Sequence, residues 1–239
     1  MIVRLVPAAL CLGLVSLPAL AADPAPAPTL TTEDDKTIYA IGVILSRSVE
    51  GFHLTPQEVQ LVKAGFDDGA TGKAPKVDVE KFSGQLETML MTREKAAGDA
   101  YIAKAAAQKG ATKTASGIVM TTLTPGTGAA PKATDEVKVH YEGKLINGRI
   151  FDSSLKRGEP ATFPLSGVIP CWTEALQLMK VGGKARVICP ANLAYGERGS
   201  PPNIGPNNAL IFEVQLLDIA KPAAPATPAA PPPAAAPKK

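Results

Sequence analysis

The sequence predicts an α+β protein with a helical N-terminal part and a C-terminal antiparallel sheet of about five strands wrapped on one short helix. Three observations carry that expectation. Apolar residues recur at three- and four-residue spacing between Ile38 and Leu90, the signature of amphipathic helices. From Val137 the period changes to strict alternation, the signature of half-buried strands. Third, many of the 23 prolines cluster at the two ends, so the ordered middle is shorter than 239 residues.

The first element, residues 1–22, reads as a secretory signal peptide. Arg4 precedes an apolar run from Leu5 to Leu20, and Ala19-Leu20-Ala21 forms a small-residue cleavage pattern. A transmembrane anchor is the alternative, but the run is short and holds Pro7 and Pro18. Cleavage would place the mature chain in the periplasm, with outer-membrane or cell-surface association left open. Residues 23–28 (DPAPAP) are a stiff spacer.

Residues 29–115 read as a helical domain. Ile38, Ile41, Leu45, Val49 and Phe52 form one helical face, entered through Thr31-Thr32 and the acidic turn Glu33-Asp34-Asp35. Thr55-Pro56-Gln57-Glu58 is a capping box with proline at the first helical position, opening a helix with Val59, Leu61, Val62 and Phe66. Asp78 caps a long helix running to about Lys109, with Phe82, Leu86, Met89 and Leu90 as its core face. From Arg93 onward this helix is mostly Ala, Lys and polar residues, so it predicts an exposed stalk. Too little sequence precedes the stalk to cover both helix faces. A homodimer through 29–115 is the natural completion, and a monomeric cap on the C-terminal part the alternative.

Residues 116–220 predict the sheet domain. Val137, Val139 and Tyr141 alternate with Lys138, His140 and Glu142, and Asn147-Gly148 predicts a two-residue hairpin turn. Gly117–Leu123, Ala161–Leu165, Lys184–Cys189 and Ala209–Ile219 are further strand candidates, and Trp172–Met179 is the short helix, closed by Gly182-Gly183. The tail, 221–239, is so rich in Ala and Pro that it predicts an extended, disordered segment.

Several function classes drop out. A net charge of +3 supplies no field for nucleic acid and no firm membrane contact. Two isolated histidines, His53 and His140, exclude a histidine-rich metal site, and no P-loop, G-x-S-x-G or dinucleotide fingerprint is present. No metal and no cofactor are expected. His140 lies on the polar side of its strand, which argues against a catalytic role. Cys171 and Cys189 are the two cysteines downstream of the leader, and in an oxidising compartment they favour a disulfide over a free nucleophile. Tyr141, Phe151, Phe163, Trp172, Tyr195 and Phe212 come from different strands, the helix and a Gly/Pro-rich loop. A plain core explains any one of them, but a loop of that composition rarely donates a Tyr to a core.

The runs Val139-His140-Tyr141-Glu142-Gly143 and Asn147-Gly148-Arg149-Ile150-Phe151-Asp152-Ser153-Ser154 carry a family resemblance. So do Val168-Ile169-Pro170-Cys171-Trp172, Met179 to Lys184, Leu193-Ala194-Tyr195-Gly196 and Asn208 to Leu217. In this order and spacing they resemble an FKBP-type peptidyl-prolyl cis-trans isomerase. The secreted, helical front half resembles the dimeric macrophage infectivity potentiator (Mip) and FkpA-like branch. That resemblance implies a catalytic pocket of Asp152, Tyr195, Trp172, Phe151 and Phe212, with Trp172 as the floor. It implies substrate contacts from Tyr141, Val168, Ile169 and Phe163, with Ile204 on the loop rim and Arg157 orienting Asp152 and Tyr141. The implied partners are proline-containing unfolded or exposed polypeptide segments and a macrolide inhibitor. A holdase-type chaperone in which isomerisation is secondary is the rival function. Ala161 stands where many members carry a second Phe, and Ser200 where many carry His.

Overall fold

The computed structural model describes residues 28–220. The proposed signal peptide, the Pro/Ala tail and all but the last residue of the spacer lie outside them. The chain divides into two compact units at Leu45/Ser46. The first holds all but the last residue of α1 (Glu33–Ser46), a helix opened by its acidic first turn and without a buried residue.

In the second unit a 3-10 helix (Arg47–Phe52) is followed by α2 (Pro56–Ala70) and α3 (Val79–Ala106). The capping box at α2 is formed in both directions: Thr55 accepts from the Glu58 N–H, and Glu58 accepts from the Thr55 N–H. Asp78 caps α3 by accepting from the Lys81 N–H. At 28 residues α3 is about 42 Å long.

The sheet has seven strands: β1 (Ala111–Lys113), β2 (Val119–Thr124), β3 (Glu136–Leu145), β4 (Ile150–Ser153), β5 (Ala161–Pro164), β6 (Lys184–Cys189) and β7 (Leu210–Ala220). Their order is β1-β2-β6-β7-β3-β4, all neighbours antiparallel, and β5 also pairs with β3. The two strands beyond the expected five, β1 and β4, are three and four residues long. The three residues of β1 complete too few alternations to register as a period. Between β4 and β5 lies one helical turn, α4 (Ser154–Arg157). The turn after β3 also differs from expectation. Leu145 N–H donates to the Arg149 carbonyl and Gly148 N–H to the Leu145 carbonyl, so three residues, 146–148, make the connection. Gly148 supplies the left-handed φ of +90° that this geometry needs.

The core forms where one face of the sheet meets α5 (Pro170–Gln177). Val137, Val139, Val187, Leu210, Val214 and Leu216 face Leu165, Trp172, Ala175 and Leu176. The opposite face carries a second cluster, in which Val119, Ile188, Ala209 and Ile211 pack against Ile102 and Ala105 of α3.

That second cluster reverses the reading of the long helix. The half expected to be an exposed stalk is the buried half: Glu94, Gly98, Ile102 and Ala105 are covered. The expected core face is open, with Phe82 at 44% and Leu86 at 53% exposure. The physical reason is close approach. A Cβ on Gly98 would lie 3.1 Å from the Cβ of Ala209, so small residues let α3 lie flat on the sheet where a leucine stripe would hold it off.

Candidate active site

An open cleft of about 310 Å³ sits on the α5 side of the sheet, lined by Tyr141, Phe151, Asp152, Phe163, Gly167, Val168, Ile169, Trp172, Tyr195 and Phe212. Each wall has a local cause. Tyr141 (β3) and Phe212 (β7) are inward positions of paired strands, with Tyr141 registered against Val214 and Phe212 against Gly143. Phe151 and Asp152 come from β4, placed by the 146–148 turn. Val168 and Ile169 lead into α5, whose first turn aims Trp172 across the sheet.

Trp172 is the hub. Its ring meets Tyr141, Phe163 and Phe212 edge to face at centroid distances of 5.2, 5.7 and 5.3 Å. Phe151 leans on Phe212 at 5.6 Å in the same geometry. Such contacts are favoured because the positive ring edge meets a negative face. The indole is only 5% exposed, and its buried N–H has no hydrogen-bond partner among the protein atoms described, so the floor is an apolar ring surface. Gly143 makes room for two of these rings: a Cβ there would stand 2.5 Å from Phe151 Cζ and 2.9 Å from Phe212 Cε1.

The polar group at the wall is a closed circuit. Tyr141 donates its hydroxyl proton to Asp152, Arg157 donates to the other Asp152 oxygen, and a second Arg157 N–H donates to the Tyr141 oxygen at 3.0 Å. The guanidinium carbon lies 5.6 Å from the Tyr141 ring centroid. Burial by itself would push the Asp152 carboxyl up, but the hydrogen bonds from Tyr141 and Arg157 and the arginine charge outweigh it and hold the carboxyl below its ordinary value. Burial, and then the hydrogen bond to Asp152, push the Tyr141 phenol up. At neutral pH the cleft therefore presents a fixed carboxylate, a protonated phenol and a guanidinium, none poised to move a proton. Tyr195, at 40% exposure, stands at the mouth.

Of the expected site residues, the cleft brings together Asp152, Tyr195, Trp172, Phe151, Phe212, Tyr141, Val168, Ile169 and Phe163. Arg157 reaches it through Asp152 and Tyr141. Ile204 does not line it: the side chain is buried in the main core, where the Ser200–Ile204 bridge folds the loop back on itself. Gly167 and Gly143 escaped the sequence reading as site residues, since glycine shows its role only when the atom a Cβ would strike is known. Cys171 and Cys189 are bonded, with Cα atoms 5.7 Å apart. His140 hydrogen-bonds Ser154 at 3.1 Å and is not among the lining residues. Among the described residues no group of three or more His, Cys, Asp or Glu side chains is placed to hold a metal ion, and no helix is long and apolar enough to cross a membrane.

A sheet wrapped on a short helix, with an open aromatic cleft where the two meet, is an architecture shared with known proteins. Residues 128–217 match the family of FKBP-type peptidyl-prolyl cis-trans isomerases, and residues 34–120 match the domain amino-terminal to such isomerases. The chain is 40% identical over 202 residues to the FKBP-type 22 kDa peptidyl-prolyl cis-trans isomerase of Escherichia coli, covering 80% of this chain and 98% of that one. It is 38% identical to the outer membrane protein MIP of Legionella longbeachae, covering 92% and 99%. The crystal structure of FkpA from Escherichia coli superposes with a TM-score of 0.54 at 35% identity, covering 81% of this chain and 99% of that one. The chain belongs to the FKBP-type peptidyl-prolyl cis-trans isomerases, in the branch that includes FkpA and Mip, and is an enzyme of that class.

Proposed function

We propose that the cleft seats a substrate proline ring on the Trp172 indole and stabilises the imide midway through its rotation. Turning a peptide bond meets a barrier of about 18–20 kcal/mol, because the twist breaks amide resonance. The planar X–Pro isomers differ by only about 0.5–1 kcal/mol, so no chemical driving force is needed. An enzyme need only bind the twisted form better than the planar ones, tenfold in rate for each 1.36 kcal/mol of difference. The twisted imide loses charge separation between N and O, so an apolar floor favours it over the planar forms. The observation that carries this reading is the buried indole with three rings edge-on around it and space above.

In this reading Tyr195 and the Ile169 N–H donate to substrate carbonyls. Asp152, tied to Tyr141 and Arg157, gives the cleft a fixed negative wall facing the rotated carbonyl's carbon. The substrates are X–Pro segments of unfolded or exposed chains outside the cytoplasm. The leader-like residues 1–22 and the Cys171–Cys189 disulfide support that compartment. Exposed Ile38, Leu61, Phe66, Phe82 and Leu86 on the helices support pairing with a second copy through 29–115.

The test is protease-coupled isomerisation of a proline peptide, with and without an FKBP-directed macrolide. Trp172→Leu and Asp152→Asn should each lower kcat/KM at least tenfold in a folded protein. Full activity in Trp172→Leu would remove the floor from the mechanism. The holdase reading draws on the same exposed helical residues, and it predicts that suppression of client aggregation survives both substitutions.

A further inference from the structure

Glu50 belongs to the helical segment and has no place in the cleft, yet its carboxylate reaches the isomerase domain. One oxygen accepts from the Asn147 side-chain amide and the other from Arg149 Nε at 2.9 Å. The same guanidinium donates through its NH2 group to the Asn203 carbonyl at 3.0 Å. Arg149 thus ties together the 3-10 helix, the 146–148 turn and the loop at 196–208. Both of its isomerase-side attachments lead into the cleft. Two residues after Arg149 come Phe151 and then Asp152, and the loop holding Asn203 departs from Tyr195 and carries Ile204 into the core.

The carboxylate that anchors this tie is itself held firmly. The 3-10 helix is pinned to α3 by Arg93, which donates to the Phe52 carbonyl at 3.1 Å, and by a 2.7 Å contact between His53 Nε2 and the buried Glu94. Gly51 lets it pack close, since a Cβ there would fall 2.6 Å from Leu90 Cδ1. Through α3 it rests on the outer face of the sheet. Glu50 therefore offers its charge from a rigid support, and the pair is about two-thirds covered, with side-chain exposures of 33% for Arg149 and 29% for Glu50.

We infer that Glu50 and Arg149 are positioning residues for the isomerase reaction: the helical segment, through Glu50, fixes the Arg149 tie that spaces β4 from the Tyr195 loop and so sets the width of the cleft mouth. The mouth contacts planar and twisted substrate alike, so its loosening weakens binding uniformly and raises KM while leaving kcat in place. The tie is shared, so removing either partner of the ion pair removes the same effect.

The experiment uses the full chain with Glu50→Gln, Arg149→Met and the double variant, assayed on a proline peptide, with hydrogen exchange followed in parallel. The expected result is a rise in KM of about fivefold in each single variant, the scale of one partly covered ion pair. The double variant should be no worse than Arg149→Met, kcat should hold, and amides in 150–153 and 196–208 should exchange faster while those of β6 and β7 do not. Unchanged KM in Glu50→Gln, or losses that multiply in the double variant, would overturn the inference. So would exchange rising evenly across the sheet, the mark of a purely global stability effect. The inference rests on the cleft being the isomerase site, but the exchange measurement does not. Failure of that reading would appear as an active Trp172→Leu enzyme, and failure of the tie as unaltered exchange in Glu50→Gln.

Discussion

Gly98→Leu tests the docking of α3 on the sheet. The Cβ at this position would sit 3.1 Å from Ala209 Cβ, tight enough that Ala209 must yield by a few tenths of an ångström. Gly98→Ala meets only that contact and gains about 1 kcal/mol of helix propensity, so the two effects nearly cancel. Leucine gains a similar propensity but adds three more carbons where Ala209 already stands, and overpacking of this kind costs about 1–3 kcal/mol. Swinging α3 away to relieve the clash would expose Ile102, Val119, Ile188 and Ile211, at about 1.5–3 kcal/mol for each side chain. That sum exceeds the strain, so the helix should stay docked and the strain be borne locally. Urea unfolding followed by far-UV circular dichroism should place Gly98→Ala near the parent and Gly98→Leu about 1–2 kcal/mol below it, with the 94–106 amides less protected. Equal stability of the two variants, with protection of 94–106 unchanged, would refute the docking argument.

Four further outcomes follow from the same geometry. The Asp152 carboxyl is held below its ordinary value, so the stability its cluster contributes is present above about pH 4 and fades as pH falls through the lowered value. The difference in unfolding free energy between the parent and Asp152→Asn should therefore be constant from pH 5 to 8 and shrink in acid. Because the Asp152 carboxyl is held low and the Tyr141 phenol is pushed up, kcat/KM should be flat from pH 6 to 8; a step within that range would implicate a group outside the Asp152–Tyr141–Arg157 circuit. Replacing both Cys171 and Cys189 by Ala should lower stability by about 3 kcal/mol in chemical denaturation, the scale for a loop of this length. Gly143→Ala should destabilise by about 1–3 kcal/mol and depress turnover, because its methyl group occupies the space of Phe151 and Phe212; wild-type turnover in that variant would show that the two rings can move without consequence.

Much of the fold was legible in the residues. Alternation at Val137, Val139 and Tyr141 identified β3, the capping box at Thr55 and Glu58 located the start of α2, and the Lys184–Cys189 strand emerged with those same ends. The cleft was legible only with the help of family resemblance. Six aromatics scattered over strands, helix and loop have no period of their own, and Ile204 illustrates the hazard, since a loop residue expected at the rim is a core residue instead.

The sequence by itself determined most of the longer elements, because capping and periodicity are local properties. Only the tertiary structure decided which half of α3 is buried. Its contact stripe, Glu94, Gly98, Ile102 and Ala105, has helical spacing but almost no hydrophobic signal. What makes that stripe an interface is the fit of small atoms against Ala209 and the sheet, and the reach of Glu50 to Arg149 near it is likewise a matter of distance between parts remote in the chain. Local sequence encodes affinity for water and for backbone shape, and contact between such remote surfaces exists only once both have folded.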